Sequence, residues 1–166
     1  RDSIYDSHTS VINKNVFLNF NIPQGRGNIS QVNFNNNKIN LVDESYNSNP
    51  LSLKFALERY DSLYKKKSKK FLLIGEMLEL GKFSEELHLS ISETVKNVSP
   101  KLLVTVGSFS KTIAEKVKND MKVFHFKTYH SVYERLIEEL DDNDIVMIKG
   151  SNSINLSKIC ERLKKK

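Results

Sequence analysis

With 166 residues, 39% hydrophobic and 28% charged side chains, the chain can bury the core of one domain, and its composition excludes an intrinsically disordered protein. No apolar run reaches the roughly 18 residues of a membrane-spanning helix, and the first ten residues lack the apolar segment of a signal peptide. The single cysteine, Cys160, excludes an internal disulfide and fits a reducing cytosol.

The formal net charge of +6 raises the question of a nucleic-acid-binding surface. Much of this charge lies in residues 65–70 and 164–166. Both runs follow apolar-periodic segments, where lysines complement the negative C-terminal end of a helix dipole. Neither run contains the interleaved aromatic residues that stack on single-stranded bases. Solvated helix ends are therefore the favoured interpretation, and a basic nucleic-acid-binding module is kept as an alternative.

The first 42 residues contain an irregular segment followed by a β-hairpin. Residues 1–22 have weak apolar content, and we expect a linker or the tail of a preceding domain. Residues 29–34 and 38–42 form two short strand patterns on either side of three asparagines, a residue that tolerates positive φ in tight turns. The second strand leads into a polar run at residues 43–49, which ends at Pro50, a residue favoured in the first helical turn.

Short apolar runs then alternate with helical patterns. Strands are predicted at residues 71–74, 102–106, 122–126 and 144–148, and helices at residues 51–63, 84–98, 110–119, 131–140 and 154–163. This alternation is typical of βαβ units, whose right-handed crossovers produce a parallel sheet covered on both faces. The sequence therefore predicts an α/β fold with a Rossmann-like, mostly parallel sheet preceded by a β-hairpin.

Polar loops follow four of the predicted strands, at residues 43–49, 75–81, 107–110 and 149–153. The carboxyl ends of parallel strands form the ligand-binding edge of such a sheet. Gly75, Gly107 and Gly150 each end a strand, where backbone N–H groups can face a ligand, although tight turns use glycine as well. Asn49 can equally be a helix cap. We expect a ligand crevice at this edge.

No complete catalytic motif is present in the sequence. Residues 107–112, GSFSKT, lack the spacing of a Walker phosphate loop, and no G-x-G-x-x-G follows the first strand, as a stand-alone Rossmann-like nucleotide-binding protein would require. The four histidines are scattered, so no metal site is predicted, and Ser108 lacks a nucleophile elbow. We expect His88 to be a core or interface residue. The residues alone indicate part of a site rather than a whole one.

Four segments nevertheless occur in the order found in one enzyme family. They are PQGR at residues 23–26, DESYNSNP at 43–50, GEMLELG at 75–81 with His88 downstream, and KGS at 149–151. Over residues 20–163 the chain resembles the C-terminal domain of the Mur ligase family, in particular members with D-D-S-Y-N-A-N-P and G-D-M-x-E-L-G. The resemblance implies that residues 23–166 form this domain and that residues 1–22 are a linker or the tail of a central ATPase domain.

The resemblance also implies an activity. These family members are ATP-dependent, amide-bond-forming ligases of peptidoglycan synthesis and cell-wall biogenesis, which add D-alanyl-D-alanine to UDP-N-acetylmuramoyl-tripeptide through an acyl phosphate. The implied cofactors are ATP and Mg²⁺, the latter held by the central domain with its phosphate loop. We expect a cytoplasmic monomer without nucleic-acid or membrane partners, and we expect the 166-residue chain to be inactive alone.

Individual positions take their expected roles from the same resemblance. Arg26 matches an arginine that contacts ATP phosphate, and it is the expected catalytic residue. The positions that match the nucleotide-binding stretch are Asp43, Glu44, Asn47 and Asn49. The positions that match the loops facing the amino substrate are Gly107, Ser108, Lys149 and Ser151.

Three positions depart from the family pattern. Glu44 and Glu76 stand where the family usually has Asp, so each carboxylate has an additional methylene to accommodate. Asn152 stands where an arginine often follows Lys-Gly-Ser. Any clamp for the carboxylate of the dipeptide must therefore use another cation, for which Lys149 is a candidate.

Overall fold

A six-stranded sheet forms the centre of the structure. A computed structural model of the chain describes residues 23–34, 36–64 and 69–165. The strands are β1 (Asn28–Phe34), β2 (Asn37–Glu44), β3 (Lys70–Gly75), β4 (Leu102–Val106), β5 (Lys122–Phe126) and β6 (Ile145–Lys149). Their order across the sheet is β1-β2-β6-β3-β4-β5; β1 and β2 are antiparallel, and all other neighbours are parallel.

Helices cover both faces of this sheet. They are α1 (Pro50–Leu63), α2 (Ser84–Ser90), α3 (Ser92–Val98), α4 (Lys111–Val117), α5 (Val132–Ile137) and α6 (Ser157–Lys164). In β3, Phe71 and Leu73 join a core with residues of α5 and α6, whereas Leu72 and Ile74 join a second core with residues of α1, α3 and α4. Successive strand residues point to opposite faces, so burial on both faces explains the continuous apolar runs. The predicted α/β fold is confirmed.

The predicted β-hairpin is confirmed, and it is part of the sheet. Its second strand, β2, pairs in parallel with β6 and in antiparallel with β1. The hairpin therefore extends the parallel sheet at one edge, and it places the loop after β2 beside the loop after β6. In the described ranges, no helix combines the length and the apolar composition needed to cross a membrane.

Several helix boundaries differ from the predicted ones by one to three residues, and two of the differences have a local cause. The helix predicted over residues 84–98 is interrupted at Ile91, next to Ser90, whose hydroxyl donates to the carbonyl oxygen of Leu87 at 2.7 Å. Such local serine bonds compete with the regular helical pattern. The last helix begins at Ser157 rather than at Ile154, because Asn155 adopts a left-handed conformation with φ 62°. Both corrections arise from short-range polar contacts that apolar periodicity does not report.

The ends of β3 and β6 approach so closely that glycine is needed at Gly150. A Cβ atom there would lie 2.9 Å from the Cα of Gly75 and 3.0 Å from a methyl of Leu156. We expect Gly150→Ala to lower the free energy of unfolding by about 1–3 kcal/mol, because the backbone of β3 must move. Urea denaturation measures the change. Ser153→Ala, in the exposed turn that follows, should stay within about 0.5 kcal/mol, and equal effects of the two changes would contradict the packing argument.

Candidate functional site

A cleft of about 290 Å³ opens where β2 and β6 end. It is lined by Gly25, Arg26, Glu44, Tyr46, Asn47, Asn49, Ser52 and Lys149. The register of the two parallel strands pairs Glu44 with Lys149, which brings the loops that follow them together. Five residues predicted from the sequence thus share one cleft, whereas Asp43, Gly107, Ser108 and Ser151 do not line it.

Arg26 is presented to the cleft by a loop that fits closely against Tyr46. Gly25 and Gly27 have φ of 78° and 84°, and the backbone N–H of Tyr46 donates to the carbonyl oxygen of Gly25 at 3.0 Å. The guanidinium carbon of Arg26 lies 4.1 Å from the centroid of the Tyr46 ring. Guanidinium N–H donors lie in the plane of the group, so this stacking leaves its edge available for an anionic ligand.

Lys149 is the second cation of the cleft. It is only 4% exposed, and its Nζ donates to the carbonyl oxygen of Asn47 at 2.8 Å, while the nearest oxygen of Glu44 is 4.0 Å away. Burial lowers the pKa of Lys149, and the Glu44 carboxylate opposes that effect. An ammonium group has three donors, and the short bond to Asn47 uses one. Lys149 therefore fixes the loop after β2 and can still bind an oxygen of a ligand.

Asn49 and Asn47 form the wall of the cleft at the start of α1. The side-chain oxygen of Asn49 accepts the N–H of Ser52 at 2.8 Å, and the hydroxyl oxygen of Ser52 accepts the N–H of Asn49 at 3.1 Å. This is a reciprocal capping box, so the helix-cap interpretation of Asn49 is confirmed. Asn47 is exposed, and its side-chain oxygen accepts the N–H of Ser48 at 2.8 Å. Each amide side chain also carries an NH₂ group with two donors.

Asp43 lies behind the cleft rather than in it. It is 1% exposed; one carboxylate oxygen accepts the N–H and the hydroxyl of Ser45 at 3.1 and 2.6 Å, and the other accepts the ammonium of Lys164 at 3.1 Å. Burial raises the pKa of Asp43, but the hydrogen bonds from Ser45, Lys164 and Cys160 outweigh burial and hold this pKa below its ordinary value. The sequence predicted a nucleotide contact here, and the structure gives the carboxylate internal partners.

Glu76 lies at the centre of a second cluster of polar contacts, at the end of β3. Its carboxylate accepts the backbone N–H of Ser108 at 2.7 Å, and a Cβ on Gly107, whose φ is 108°, would overlap the Glu76 side chain. The hydroxyl of Ser151 accepts the N–H of Leu78 at 2.9 Å, so this side chain also supports the loop after β3. The four residues predicted to face the amino substrate are therefore divided: Lys149 lies in the cleft, and the other three lie around Glu76.

The neutral side chain of His88 supports the loop after β3 from within the core. It is fully buried, with Nδ1 2.6 Å from the carbonyl oxygen of Ser84 and Nε2 2.9 Å from the backbone nitrogen of Met77. These partners fix one tautomer, in which Nδ1 donates and Nε2 accepts. Burial lowers the pKa of His88, against the opposing effects of the Ser84 carbonyl and Glu76. The expected core role of His88 is what the structure shows.

Two larger grooves lie away from the cleft. One, of about 610 Å³, runs between α1 and α3, and the other, of about 590 Å³, runs between α2 and α4 and includes Ser108. Among residues 23–34, 36–64 and 69–165, no three His, Cys, Asp or Glu side chains are grouped so that they could hold a metal ion. The charged and amide groups of the cleft therefore remain the most coherent candidate site.

Comparison with known proteins identifies the family of the chain. Residues 26–152, more than half of the chain, match the family described as Mur ligase, glutamate ligase domain. The chain belongs to the Mur ligase family. The UDP-N-acetylmuramoyl-tripeptide--D-alanyl-D-alanine ligase of Rickettsia prowazekii is 29% identical over 140 residues, which cover 84% of this chain and 30% of the relative. The protein of the same name from Buchnera aphidicola subsp. Acyrthosiphon pisum is 32% identical over 127 residues, 76% of this chain and 27% of the relative.

Solved structures share the fold of this Mur ligase chain. A crystal structure of MurF from Acinetobacter baumannii superposes with a TM-score of 0.70 at 21% identity, covering 86% of this chain and 31% of that one. MurF ligase from Thermotoga maritima, in complex with ADP, superposes with a TM-score of 0.67 at 21% identity, covering 88% of this chain and 32% of that one. The chain spans about 30% of the length of the relatives it matches.

Several residues of the candidate site were not predicted from the sequence. Tyr46 lies within the recognised motif, but its stacking on Arg26 depends on a contact between two loops. Ser52 had a local signal, since Asn49 followed three residues later by a hydrogen-bonding side chain is a capping pattern. Lys164 had none, because it meets Asp43 across 121 residues of sequence.

His88 should make the stability of this domain sensitive to mild acid. The pKa of His88 in the folded chain lies below its ordinary value of 6.5. Below pH 6.5, His88 therefore binds a proton more readily in the unfolded chain than in the folded chain. The free energy of unfolding should therefore fall as the pH decreases from 6.5. His88→Gln should lower stability at neutral pH and reduce this slope, while His125, whose pKa burial also lowers, keeps part of it.

Chemical denaturation between about pH 5 and 7, where histidines titrate, measures the effect. His130→Gln is the matched control, because His130 is exposed. A slope that is the same in wild type and His88→Gln would show that His88 is not held neutral in the folded chain.

Proposed function

We propose that the chain is the C-terminal domain of an ATP-dependent ligase that adds D-alanyl-D-alanine to UDP-N-acetylmuramoyl-tripeptide in cytoplasmic peptidoglycan precursor synthesis. The observation that carries the proposal is the cleft in which Arg26, Glu44, Asn47, Asn49 and Lys149 meet. The names of the curated relatives from Rickettsia prowazekii and Bacillus subtilis support it. Residues 23–166 would be this domain, and residues 1–22, which lie outside the described residues, a linker or the end of a central ATPase domain.

The cleft suits one part of a nucleotide. Its volume of about 290 Å³ is at the lower limit of the roughly 300–1,000 Å³ typical of ligand pockets. Arg26 offers in-plane donors for phosphate oxygens, and Glu44 and Asn47 offer an acceptor and donors for ribose hydroxyls or base atoms. Asn49 shapes this wall through its cap. Asp43 would contribute indirectly, by holding the loop that carries these groups.

ATP would supply the phosphoryl group that activates the carboxylate of the tripeptide. The task of this chain's own residues would be to bind, orient and neutralise charge, with Arg26 as the catalytic residue that faces phosphate. Mg²⁺ would be held by a central domain, and the described residues group no three metal-ligating side chains. A monomer that acts without nucleic acid or membrane is part of the same proposal.

The amino substrate would approach the neighbouring strand ends. Lys149 would bind the carboxylate of the dipeptide with its remaining donors, and Ser108 would offer an exposed hydroxyl at the end of β4. Gly107 would contribute by leaving space for the Glu76 side chain, and Ser151 would contribute by fixing the loop after β3. The departure at Glu76 is accommodated in this arrangement, because its longer side chain reaches the N–H of Ser108.

The alternative functions have less support. A basic nucleic-acid-binding module would use residues 65–70, but Lys70 pairs with Asp61 at 2.5 Å and Lys69 with Asp141 at 3.5 Å. Residues 65–68 lie outside the described residues. A stand-alone nucleotide-binding protein would be expected to surround its ligand, whereas this cleft is open and small. The match to the Mur ligase family favours the ligase.

The 166-residue chain alone should neither hydrolyse ATP nor form the peptide bond. Its sequence contains no phosphate loop, and the cleft offers phosphate only the side chains of Arg26 and Lys149 as cations. A phosphate-release assay with ATP, Mg²⁺ and both peptide substrates measures turnover. Release well above a protein-free blank, and absent from Arg26→Ala, would place a complete active site on this chain and overturn the domain assignment.

Arg26→Ala should reduce kcat of the complete ligase by roughly 10²–10³, the usual cost of about 2.7–4 kcal/mol for one donor that acts in the transition state. Arg26→Lys should restore only part of the rate, because an ammonium lacks the two-pronged donor geometry. Tm should hardly change, since Arg26 is exposed. Phosphate release and melting curves are the measurements.

The matched control for Arg26 is Arg162→Ala. Arg162 makes the same kind of contact, with its guanidinium carbon 3.7 Å from the centroid of the Tyr133 ring, but on α6 and away from the cleft. Its loss should leave kcat unchanged. Near-normal turnover of Arg26→Ala, or a Tm lowered by many degrees, would make Arg26 a structural residue.

A further inference from the structure

One cation of helix α6, Lys164, contacts Asp43 behind the cleft. The helix packs against β1 and β2, and Ile159, Cys160 and Leu163 are buried in the core beneath it. Lys164 lies in its last turn, and its ammonium is 3.1 Å from a carboxylate oxygen of Asp43. The side chain of Lys164 is 32% exposed and that of Asp43 is 1% exposed, so a partly solvated cation meets a buried anion.

Asp43 connects the two loops that form the walls of the cleft. Its backbone carbonyl oxygen accepts the N–H of Gly27 at 2.8 Å, next to Arg26. Its carboxylate holds both the N–H and the hydroxyl of Ser45, at the start of the loop that contains Asn47. Any displacement of Asp43 would therefore move the two walls relative to each other.

Lys164 supplies the positive charge that this buried carboxylate needs. The other groups that reach the carboxylate, Ser45 from its own loop and Cys160 from α6, are neutral donors. Lys149, the nearby buried cation, is directed to Asn47 and Glu44 instead. A buried anion without its cation either takes up a proton or moves towards water. Both responses would loosen the bonds from Asp43 to Ser45 and disturb Gly27.

We propose that Lys164 is a positioning residue for the cleft, which holds the Arg26 loop and the Asn47 loop at a fixed separation through Asp43. Lys164 lies beyond residue 152, where the match to the family ends, so neither the family match nor a local sequence motif assigns it a role. The geometric part of the inference is independent of the ligand, and only the identity of that ligand, a nucleotide, rests on the proposed function.

The simpler role for Lys164 is general stabilisation of α6, and Lys158 is the control that separates the two roles. Lys158 lies on the same helix, and its ammonium is 3.1 Å from the hydroxyl of Tyr129, away from the cleft. Lys158→Met and Lys164→Met remove the same charge and add the same apolar side chain. A general effect of charge on α6 would appear in both variants, whereas a positioning effect would appear only in Lys164→Met.

The first measurement is backbone NMR of the 166-residue chain. In Lys164→Met the amides of Gly27 and Ser45 should lose about tenfold or more of their protection from hydrogen exchange, and the acid titration of Asp43, seen at the Ser45 amide, should move to higher pH. Lys164→Arg should restore both the protection of the amides and the titration of Asp43. In a chain that already carries Asp43→Asn, adding Lys164→Met should cause no further change. Lys164→Gln, which keeps a neutral donor, should give a protection and a titration between those of Lys164→Met and Lys164→Arg.

Several outcomes would overturn the positioning role. Equal protection and equal Asp43 titration in Lys164→Met and Lys158→Met would do so. If Lys164→Met and Lys164→Gln both unfold while Lys158→Met folds, Lys164 is a general stabilising residue, and the positioning role is also wrong. Failure of Lys164→Arg to restore the titration would show that charge is not what Asp43 needs.

The second measurement is titration of the same chains with ADP at millimolar concentrations, followed at the amides of Arg26 and Asn47. Lys164→Met should weaken ADP binding by about tenfold and Lys158→Met should not. If wild type binds and Lys164→Met binds equally well, the positioning role is overturned and the nucleotide cleft stands. If wild type shows no shifts at the cleft, this chain does not form a nucleotide site without the other domains of the ligase, and the exchange data decide the role of Lys164.

Discussion

The parallel pairing of β2 with β6 is the constraint on which the site depends. β2 belongs to an antiparallel hairpin, yet its other edge joins the parallel sheet, and the register places Glu44 beside Lys149 at the ends of the two strands. A shift by one residue would exchange the faces of every side chain in the strand. Both faces of β6 are buried, with Val146 and Met147 in different cores, so this register is strongly specified.

The fold was largely predictable because its central parallel strands are buried on both faces. The bounds of β4 and β5 are those predicted, since each is a five-residue run that ends in a glycine or a polar turn. Helix ends were less predictable, because they depend on single side chains. Ser90 interrupts the helix predicted over residues 84–98, and the left-handed Asn155 delays the last helix. The predictions for residues 1–22 stay predictions, because these residues lie outside the described ranges.

The composition of the cleft was predictable from topology, and the direction of individual side chains was not. The parallel strands β2 and β6 end at one edge, which is why Asn47 and Lys149 meet in the cleft, and Arg26 joins them because the antiparallel β1 begins at that edge. Asp43 and Glu44 were given the same expected role, although adjacent strand residues point to opposite sides. The structure separates them accordingly: Glu44 lines the cleft, and Asp43 is buried towards α6. The partner of Asp43, Lys164, lies 121 residues away, beyond any local pattern.

Under the proposed function, the electrostatics of the cleft would favour a nucleotide site that is divided between domains. Arg26 is exposed, so water screens its charge; at 4 Å, two unit charges attract by about 1 kcal/mol in water and about 4 kcal/mol at an effective dielectric constant of 20. A second protein surface closing over the cleft would exclude water and strengthen this attraction several-fold. Lys149 is already 4% exposed and would gain less. Closure would therefore act mainly through Arg26, whose stacking on Tyr46 orients the guanidinium in advance, so the attraction to phosphate would become strong only when the other parts of the site are in place.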